Sequence, residues 1–202
     1  MIGIEDRDGV LVLTLRRPEK ANSLTRAMLE DLDSAVAATR AAAVILTGEG
    51  KVFSAGADLD EARAGLATDP VWDRLSNRIA GLPCLTIAAL NGTLAGGAMG
   101  MVLACDLRLA VPSAKFFYPV MKLGYLPQPA DPARLVALVG PSRAKMILMA
   151  GAKVEADEAL AWGLVDRMVA PEALLEAARG LAADAMAAKA GHAGAIKRMI
   201  AG

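Results

Sequence analysis

The sequence has few aromatic residues, few cysteines and a single histidine. Of its 202 residues, 3% are aromatic, 2 are cysteine and 1 is histidine, and the formal net charge is zero. So few aromatic side chains give little surface for stacking bases, and the balanced charge leaves no basic footprint for nucleic acid. One histidine without a cysteine cluster argues against a zinc site or a Ser-His-Asp triad. We therefore expect no metal and no nucleic-acid partner.

The two cysteines indicate the compartment. Cys84 and Cys105 both lie in apolar segments, so we expect buried thiols and a reducing cytoplasm. Charged residues begin at Glu5, too early for a signal peptide. Hydrophobic residues make up 55% of the chain, enough to bury a sizeable core in one domain.

The longest uncharged stretch runs from Cys84 to Cys105. Its length would suit a membrane span, but the Asn91-Gly92 turn signal and the Gly96-Gly97 pair break such a helix, so we expect no membrane segment. The stretch predicts a buried strand over 84–90, a turn, and a helix that starts near Gly96 or Gly97 and ends near Cys105. Free N–H groups at such a helix start can bind an anion, or an oxygen that gains charge during a reaction, although tight packing alone also explains a glycine pair.

Apolar runs and helical periodicity elsewhere predict strands that alternate with helices, which favours an α/β fold with parallel pairing. Further strands are predicted at 10–15, 43–47, 106–111 and 164–169. Helices are predicted at 25–40, 59–66, 70–82, 132–139, 142–150 and 155–162, followed by two closing helices. Residues 112–131 are rich in Pro, Tyr and Phe and are predicted to be irregular.

Several segments, in order along nearly the whole chain, resemble the enoyl-CoA hydratase/isomerase (crotonase) superfamily. They are Arg17 to Leu24 (RPEKANSL), Leu46 to Gly48 with Phe53 to Asp58 (FSAGAD), Ala89 to Gly97, Ala104 to Ala110 (ACDLRLA), Val139 to Lys145 (VGPSRAK), Ala156 to Leu160 and Gly163 to Asp166 (GLVD).

The resemblance implies an α/β crotonase-like spiral core of ββα turns with a helical C-terminal part. We expect a single domain over 1–202, with the spiral core at about 1–140 and the helical segment at about 141–202. Because the family commonly continues beyond the region of Lys197, we expect this helical part to be shorter than usual. A more open pocket or a covering subunit would then follow. The family also implies a homotrimer or a dimer of trimers.

The resemblance further implies an acyl-CoA substrate, with coenzyme A as part of the substrate and no separate cofactor. The thioester carbonyl would lie between the backbone N–H groups of Ala57 and Gly97, and a side chain at Gly97 would crowd the thioester. Fixed donors placed where negative charge develops stabilise an enolate or a tetrahedral oxyanion. By the same analogy, the coenzyme A channel would be lined by Lys20, Ala21, Ser23, Ala55, Asp58, Leu59 and Asp60. Lys20 is equally explained as a solvated turn lysine.

The sequence departs from the family at the two glutamates that position water in its hydratases. The corresponding positions are Gly100 in the central helix and Val120 after Pro119, and no glutamate occurs between Glu61 and Glu155. Glycine and valine perform no acid–base chemistry. Hydration through a glutamate pair is therefore disfavoured.

Two residues are candidates to replace these acids. Asp131 lies in a segment that approaches the acyl site in the family, although Asp before Pro132 is also a standard N-cap, and the cap is the favoured interpretation. Tyr125, like Tyr118, carries a hydroxyl that can donate to a substrate, although packing alone also explains a tyrosine.

We therefore expect an acyl-CoA enzyme that carries out double-bond isomerisation or a related enolate reaction. One alternative is a catalytically silent acyl-CoA-binding or scaffold subunit. Another is a thioester hydrolase or a decarboxylase, which depends mainly on oxyanion stabilisation.

Overall fold

A computed structural model of the chain describes residues 1–201 and confirms the α/β fold class. Its larger sheet has six strands in the order β1-β2-β3-β5-β7-β10. The β1–β2 pair is antiparallel and the other pairs are parallel. The strands are β1 (Ile2–Arg7), β2 (Val10–Leu15), β3 (Ala43–Gly48), β5 (Leu85–Leu90), β7 (Leu107–Ala110) and β10 (Arg167–Met168).

A smaller sheet has the order β4-β6-β8-β9. Its strands are β4 (Val52–Ser54), β6 (Thr93–Ala95), β8 (Lys115–Phe117) and β9 (Val154–Glu155). The first three each follow a strand of the larger sheet after a short connection, which produces the repeating strand–strand–helix turns of the expected spiral. Neither these short strands nor β1 was predicted from the sequence.

The helices cover the outer faces of the sheets and form most of the C-terminal part. They are α1 (Arg26–Ala38), α2 (Leu59–Arg63), α3 (Val71–Ala80), α4 (Met99–Leu103), α5 (Val120–Leu123), α6 (Asp131–Leu148), α7 (Ala156–Trp162), α8 (Leu174–Ala187) and α9 (His192–Ala201). No helix within the described residues is long and apolar enough to cross a membrane.

Several predicted boundaries change. The predicted helix at 59–66 is α2 followed by a separate 3-10 turn at Leu66–Thr68. The helices predicted at 132–139 and 142–150 are the two halves of α6, which kinks at Gly140, where φ is 80° before Pro141. The segment 112–131 is not wholly irregular, because it contains β8 and α5, and the strand predicted at 164–169 is reduced to β10.

Helix α1 illustrates how local sequence specifies an element. The hydroxyl of Thr25 accepts a hydrogen bond from the Met28 N–H and caps the first turn. The buried residues Met28, Leu32 and Val36 recur at helical spacing on the face that α1 turns to the core. At the α1–α3 contact, the Asp33 carboxylate accepts hydrogen bonds from two arginines of α3, so packing and charge both fix this pair.

The central strand β5 lies between β3 and β7, and from Thr86 to Leu90 its side chains are buried. This explains the uncharged sequence that predicted it. Cys84 and Cys105, at the two ends of the uncharged stretch, are buried free thiols as predicted. Burial raises the pKa of Cys105 to about 12, so this thiol is not a nucleophile at neutral pH.

Candidate active site

The candidate site forms where the ends of β4 and β6 lead into loops. The two strands are parallel neighbours, so the segments that follow them lie side by side. A Cβ on Gly56 would stand 3.0 Å from the Ala95 carbonyl oxygen, and Gly56 has a φ of 90°. Gly96, across from it, also has a positive φ of 60°. Glycines at these positions let the two backbones approach closely.

The N–H of Ala57 is turned away from the neighbouring backbone. In the parallel bridge between Leu24 and Ala57, the Leu24 N–H donates to the Gly56 carbonyl at 2.7 Å, and the Asp58 N–H donates to the Leu24 carbonyl at 2.8 Å. Ladder geometry therefore directs the N–H of Ala57 itself to the opposite side. Gly97 lies in the 3-10 turn Gly96–Ala98 that begins the central helix, where N–H groups have no intrahelical partner.

An apolar cleft of about 130 Å³ opens beside these two residues. Its walls include Ala57, Gly97, Trp72, Tyr118, Val120, Leu123, Tyr125 and Gln128. Within residues 1–201, no carboxylate lines this cleft. The described part of the chain also contains no group of three or more His, Cys, Asp or Glu side chains arranged to hold a metal ion.

Trp72 forms one wall of the cleft and was not singled out in the sequence. Its indole N–H donates to the Leu66 carbonyl at 2.8 Å, which fixes the ring. A Cβ on Gly97 would lie 3.3 Å from two ring carbons of Trp72. The expectation that a side chain at position 97 would crowd the thioester stays a prediction, and the structure adds that such a side chain would also meet this indole.

The structure brings together the two segments that were predicted to line a coenzyme A channel. The Ala55 N–H donates to the Ala21 carbonyl at 2.9 Å. Arg17 donates to the Asp58 carboxylate at 2.7 Å and to the Ser23 hydroxyl at 3.1 Å. The hydrogen bond from this guanidinium holds the pKa of Asp58 below its usual range.

The remaining channel residues lie at the surface. Lys20, Leu59 and Asp60 are exposed. Asp58 is committed locally, since its side chain also caps α2 by accepting from the N–H groups of Asp60 and Glu61. The ion pair with Arg17 and this cap leave the Asp58 carboxylate little freedom to meet a ligand.

Asn22 is a buried residue that joins the two loops and was not predicted to do so. Its side-chain amide donates to the carbonyls of Glu49 and Val52, at 2.9 Å and 2.7 Å. The backbone carbonyl of Asn22 accepts a hydrogen bond from the Ser54 hydroxyl at 2.8 Å. The only signal in the sequence was an Asn in a polar turn, which gives no information on contacts about thirty residues away.

Asp131 is the first residue of α6, and Ala130 precedes it at the N-cap position without a side-chain cap. The favoured interpretation of Asp131 as an N-cap is therefore wrong. Its side chain is 1% exposed, and its Oδ2 accepts a hydrogen bond from the Tyr118 hydroxyl at 2.9 Å. Among residues 1–201, Oδ1 has no hydrogen-bond partner. Burial raises the pKa of this carboxyl to about 6.

The two positions that would carry glutamates in a hydratase have different surroundings. Val120 is the first residue of α5 and lines the cleft. Gly100 lies in α4 under the carboxyl of Asp131: a Cβ there would be 2.7 Å from Oδ1 and 3.1 Å from Oδ2. The Asp131 carboxyl therefore fills the space that a side chain at position 100 would need.

The two tyrosines also differ. Tyr125, one of the residues predicted from the sequence, lines the cleft and is 38% exposed. Tyr118 lines the same cleft but is 4% exposed, and its hydroxyl accepts from the Gln128 N–H at 3.3 Å while it donates to Asp131. The described contacts thus connect Asp131 with Tyr118.

Comparison with known proteins identifies the family. The enoyl-CoA hydratase/isomerase family matches residues 5–201. The chain belongs to this family. A short-chain-enoyl-CoA hydratase from Clostridium acetobutylicum is 34% identical over 189 residues, covering 89% of this chain and 72% of that protein. The crystal structure of an enoyl-CoA hydratase from Bacillus anthracis superposes with a TM-score of 0.90 at 32% identity, covering 99% of this chain and 82% of the other.

An enoyl-CoA hydratase from Mycobacterium marinum gives a TM-score of 0.89 at 34% identity, with 98% of each chain covered. A larger cavity of about 530 Å³ lies under α9, and neither Ala57 nor Gly97 lines it. That cavity lies where β5 and β7 begin, is mostly apolar, and has the Lys197–Asp106 ion pair on its wall.

Proposed function

We propose that the protein binds an acyl-CoA thioester and stabilises the enolate formed from it, in a double-bond isomerisation or a related reaction. The observation that carries this proposal is that Ala57 and Gly97 both line one apolar cleft, and that the described contacts give neither N–H group a backbone acceptor. A thioester carbonyl between such donors would gain negative charge as the enolate forms. One oxyanion-hole donor contributes about 3–4 kcal/mol to transition-state stabilisation.

The isomerase type is favoured over hydration because no carboxylate within residues 1–201 faces the cleft. Hydration needs a water molecule that is held and deprotonated, and Val120 offers that water neither a base nor a hydrogen bond. Isomerisation needs no bound water, but it does need one group that takes a proton from one carbon of the acyl chain and returns it to another.

We propose that the adenine nucleotide part of coenzyme A lies along the segments that contain Lys20, Ala21, Ser23, Ala55, Asp58, Leu59 and Asp60. The exposed Lys20 would contact a phosphate, while Ala21 and Ala55 would approach the ligand through their backbones. The exposed apolar side chains of Leu59, Met121 and Leu126 support a homo-oligomer, and the family resemblance implies that it is a homotrimer or a dimer of trimers. The free, buried cysteines support a cytoplasmic location.

A panel of short acyl-CoA thioesters, incubated with the protein in heavy water and followed by mass spectrometry, tests the reaction. It contains 2-enoyl, 3-enoyl, 3-hydroxyacyl, malonyl-type and saturated thioesters. Deuterium at the α- or γ-carbon without added water supports the proposal. Rapid addition of water to a 2-enoyl thioester would contradict it, and free coenzyme A or loss of carbon dioxide would instead indicate a hydrolase or a decarboxylase.

The absence of acids from the cleft walls, among the residues that the structure describes, also favours a second candidate, a silent acyl-CoA-binding subunit. Such a protein would bind every thioester of suitable length and return it unchanged. Equilibrium binding of the same panel separates the two candidates: tight binding with no deuterium incorporation would support the silent subunit.

A further inference from the structure

We propose that Tyr118 and Asp131 form a proton relay at the cleft, in which Tyr118 exchanges a proton with the bound acyl chain and Asp131 stores it. This inference rests on the proposed function and names the group that moves the proton. Tyr118 would be the catalytic residue, because it lines the cleft. Asp131 does not line the cleft and would be a positioning residue that acts through Tyr118.

The first support is the geometry of the pair. Tyr118 lies between the cleft and Asp131, and its hydroxyl is 2.9 Å from Asp131 Oδ2. The Gln128 N–H donates to the same hydroxyl at 3.3 Å and orients it. The phenol thus has one donor and one acceptor that are both fixed by the fold.

The second support is the unusual state of the Asp131 carboxyl. The side chain is 1% exposed, and Oδ1 has no hydrogen-bond partner among residues 1–201. A buried carboxylate with an unpaired oxygen is costly, which favours the neutral acid. Since burial raises the pKa to about 6, the group changes its charge close to neutral pH, where a proton store is most effective.

The third support is the space beside Gly100. The Asp131 carboxyl reaches this space from α6, and a Cβ on Gly100 would collide with Oδ1 at 2.7 Å. An acid from another helix thereby occupies the space next to position 100, where the family resemblance places an acid on the central helix. Glycine at position 100 leaves room for this carboxyl.

The charged groups around Asp131 come from two helices. Asp73 of α3 accepts from the Ala130 N–H at 3.2 Å, and its charge raises the pKa of Asp131. Arg134 of α6 lowers it, but its guanidinium is held by Ser76 and Asn77 at 2.9 Å and 2.7 Å. Neither group bonds to the carboxyl, so the hydrogen bond from Tyr118 is its specific contact.

Atoms and electrons balance in this relay. The C–H bond next to the thioester carbonyl breaks, and its electron pair moves onto the carbonyl oxygen held by Ala57 and Gly97. The proton goes to the Tyr118 oxygen while the hydroxyl proton of Tyr118 passes to Asp131 Oδ2. Tyr118 stays neutral throughout, as its burial requires because burial raises the pKa of the phenol. Reversal at another carbon of the allylic system completes an isomerisation.

The test is the exchange of the α-hydrogens of butyryl-CoA in heavy water, measured by mass spectrometry as a function of pH. For the wild type we expect a rate that rises with pH and has a midpoint near 6, the pKa of Asp131, because the carboxylate is the accepting form. Asp131→Asn and Tyr118→Phe should each slow exchange by about 100-fold or more and abolish this midpoint. The Kd of both variants for butyryl-CoA should change by less than about 3-fold, because the relay acts on the proton transfer and not on binding of the thioester.

Tyr125→Phe tests the competing candidate, because Tyr125 lines the same cleft and no described contact joins it to Asp131. Loss of exchange in Tyr125→Phe with retention in Tyr118→Phe would overturn the relay. Exchange that survives in Asp131→Asn with an unchanged midpoint would overturn it as well, while the enolate chemistry would stand. If Asp131→Asn does not fold, Tyr118→Phe and the wild-type pH profile decide. A wild type that binds butyryl-CoA without any exchange would overturn both the relay and the proposed reaction.

Discussion

Gly56 and Ala95 bring the two halves of the candidate oxyanion hole together. A Cβ on Gly56 would lie 3.0 Å from the Ala95 carbonyl oxygen, closer than ordinary van der Waals contact, and would be 3.5 Å from the Gly97 nitrogen. The distance between the two proposed donors, Ala57 and Gly97, therefore depends on the absence of a side chain at position 56. This dependence can be measured.

Gly56→Ala should destabilise the protein by about 2–4 kcal/mol, because it combines a positive φ with a contact against rigid backbone. Gly9→Ala is the control: Gly9 has a φ of 78°, but a Cβ there would have no heavy atom of the described residues within 4 Å. It therefore reports the backbone strain alone, about 1 kcal/mol. Urea unfolding of both variants gives the two costs. Equal costs would show that the approach of Gly56 to Ala95 is not a tight contact.

Gly100→Ala tests the fit between Gly100 and Asp131. A methyl group 2.7 Å from Oδ1 must displace the carboxyl, so we expect a loss of about 1–3 kcal/mol despite the better helix propensity of alanine. Gly180→Ala in α8, where no described atom lies within 4 Å of an added Cβ, should instead be neutral or stabilise by up to about 1 kcal/mol. In an Asp131→Ala background the cost of Gly100→Ala should shrink, and an unchanged cost would show that the two residues are not coupled.

The sequence predicts those parts of the fold that carry a long local signal. Strand β5 and helix α1 are recognisable because six or more residues repeat one pattern of burial. Strands β4, β6 and β9 have two or three residues each, too few for any periodicity, and they exist because the spiral places them beside partners. The family resemblance, rather than periodicity, supplied the spiral.

The candidate site also has a part that could be predicted from the sequence and a part that could not. Ala57 and Gly97 were predicted from motifs, and the structure places both beside one cleft. The surroundings of Asp131 could not be predicted, because its contacts with Tyr118 and Gly100 join segments that are far apart in the chain. Local sequence instead favoured an N-cap, and that interpretation failed because the helix begins at Asp131 itself.

Arg108 tests a buried polar contact away from the cleft. Its guanidinium is 3% exposed and donates to the carbonyls of Cys105 and Leu164, at 2.8 Å and 3.0 Å, and to Asp166 at 3.0 Å. Arg108→Met would leave the buried carbonyls of Cys105 and Leu164 without this donor, so we expect a loss of about 2–5 kcal/mol in urea unfolding. Arg179→Met, which removes a partly exposed pair with Glu5, should cost less than about 1 kcal/mol. Similar costs for both would show that Arg108 has no special structural role.

The pH dependence of stability tests the state of Asp131 without any substrate. Its pKa is about 6 in the folded protein and about 3.9 in an unfolded chain. Between these values the folded state binds more protons than the unfolded state, so the contribution of Asp131 to the free energy of unfolding falls as pH rises. By linkage the fall reaches about 3 kcal/mol above pH 6.

Asp131→Asn removes this titration while its amide oxygen can still accept from Tyr118. The free energy of unfolding of the Asn variant minus that of the wild type should therefore increase from pH 4 to pH 7, whatever its absolute value. Because Asp33, Asp58 and Asp69 have lowered pKa values, their stabilisation is lost only towards lower pH, and it cancels in the difference. Urea unfolding at half-unit pH steps measures the difference. A flat difference would mean that the pKa of Asp131 is the same in the folded and the unfolded chain, and that burial does not stabilise the neutral acid.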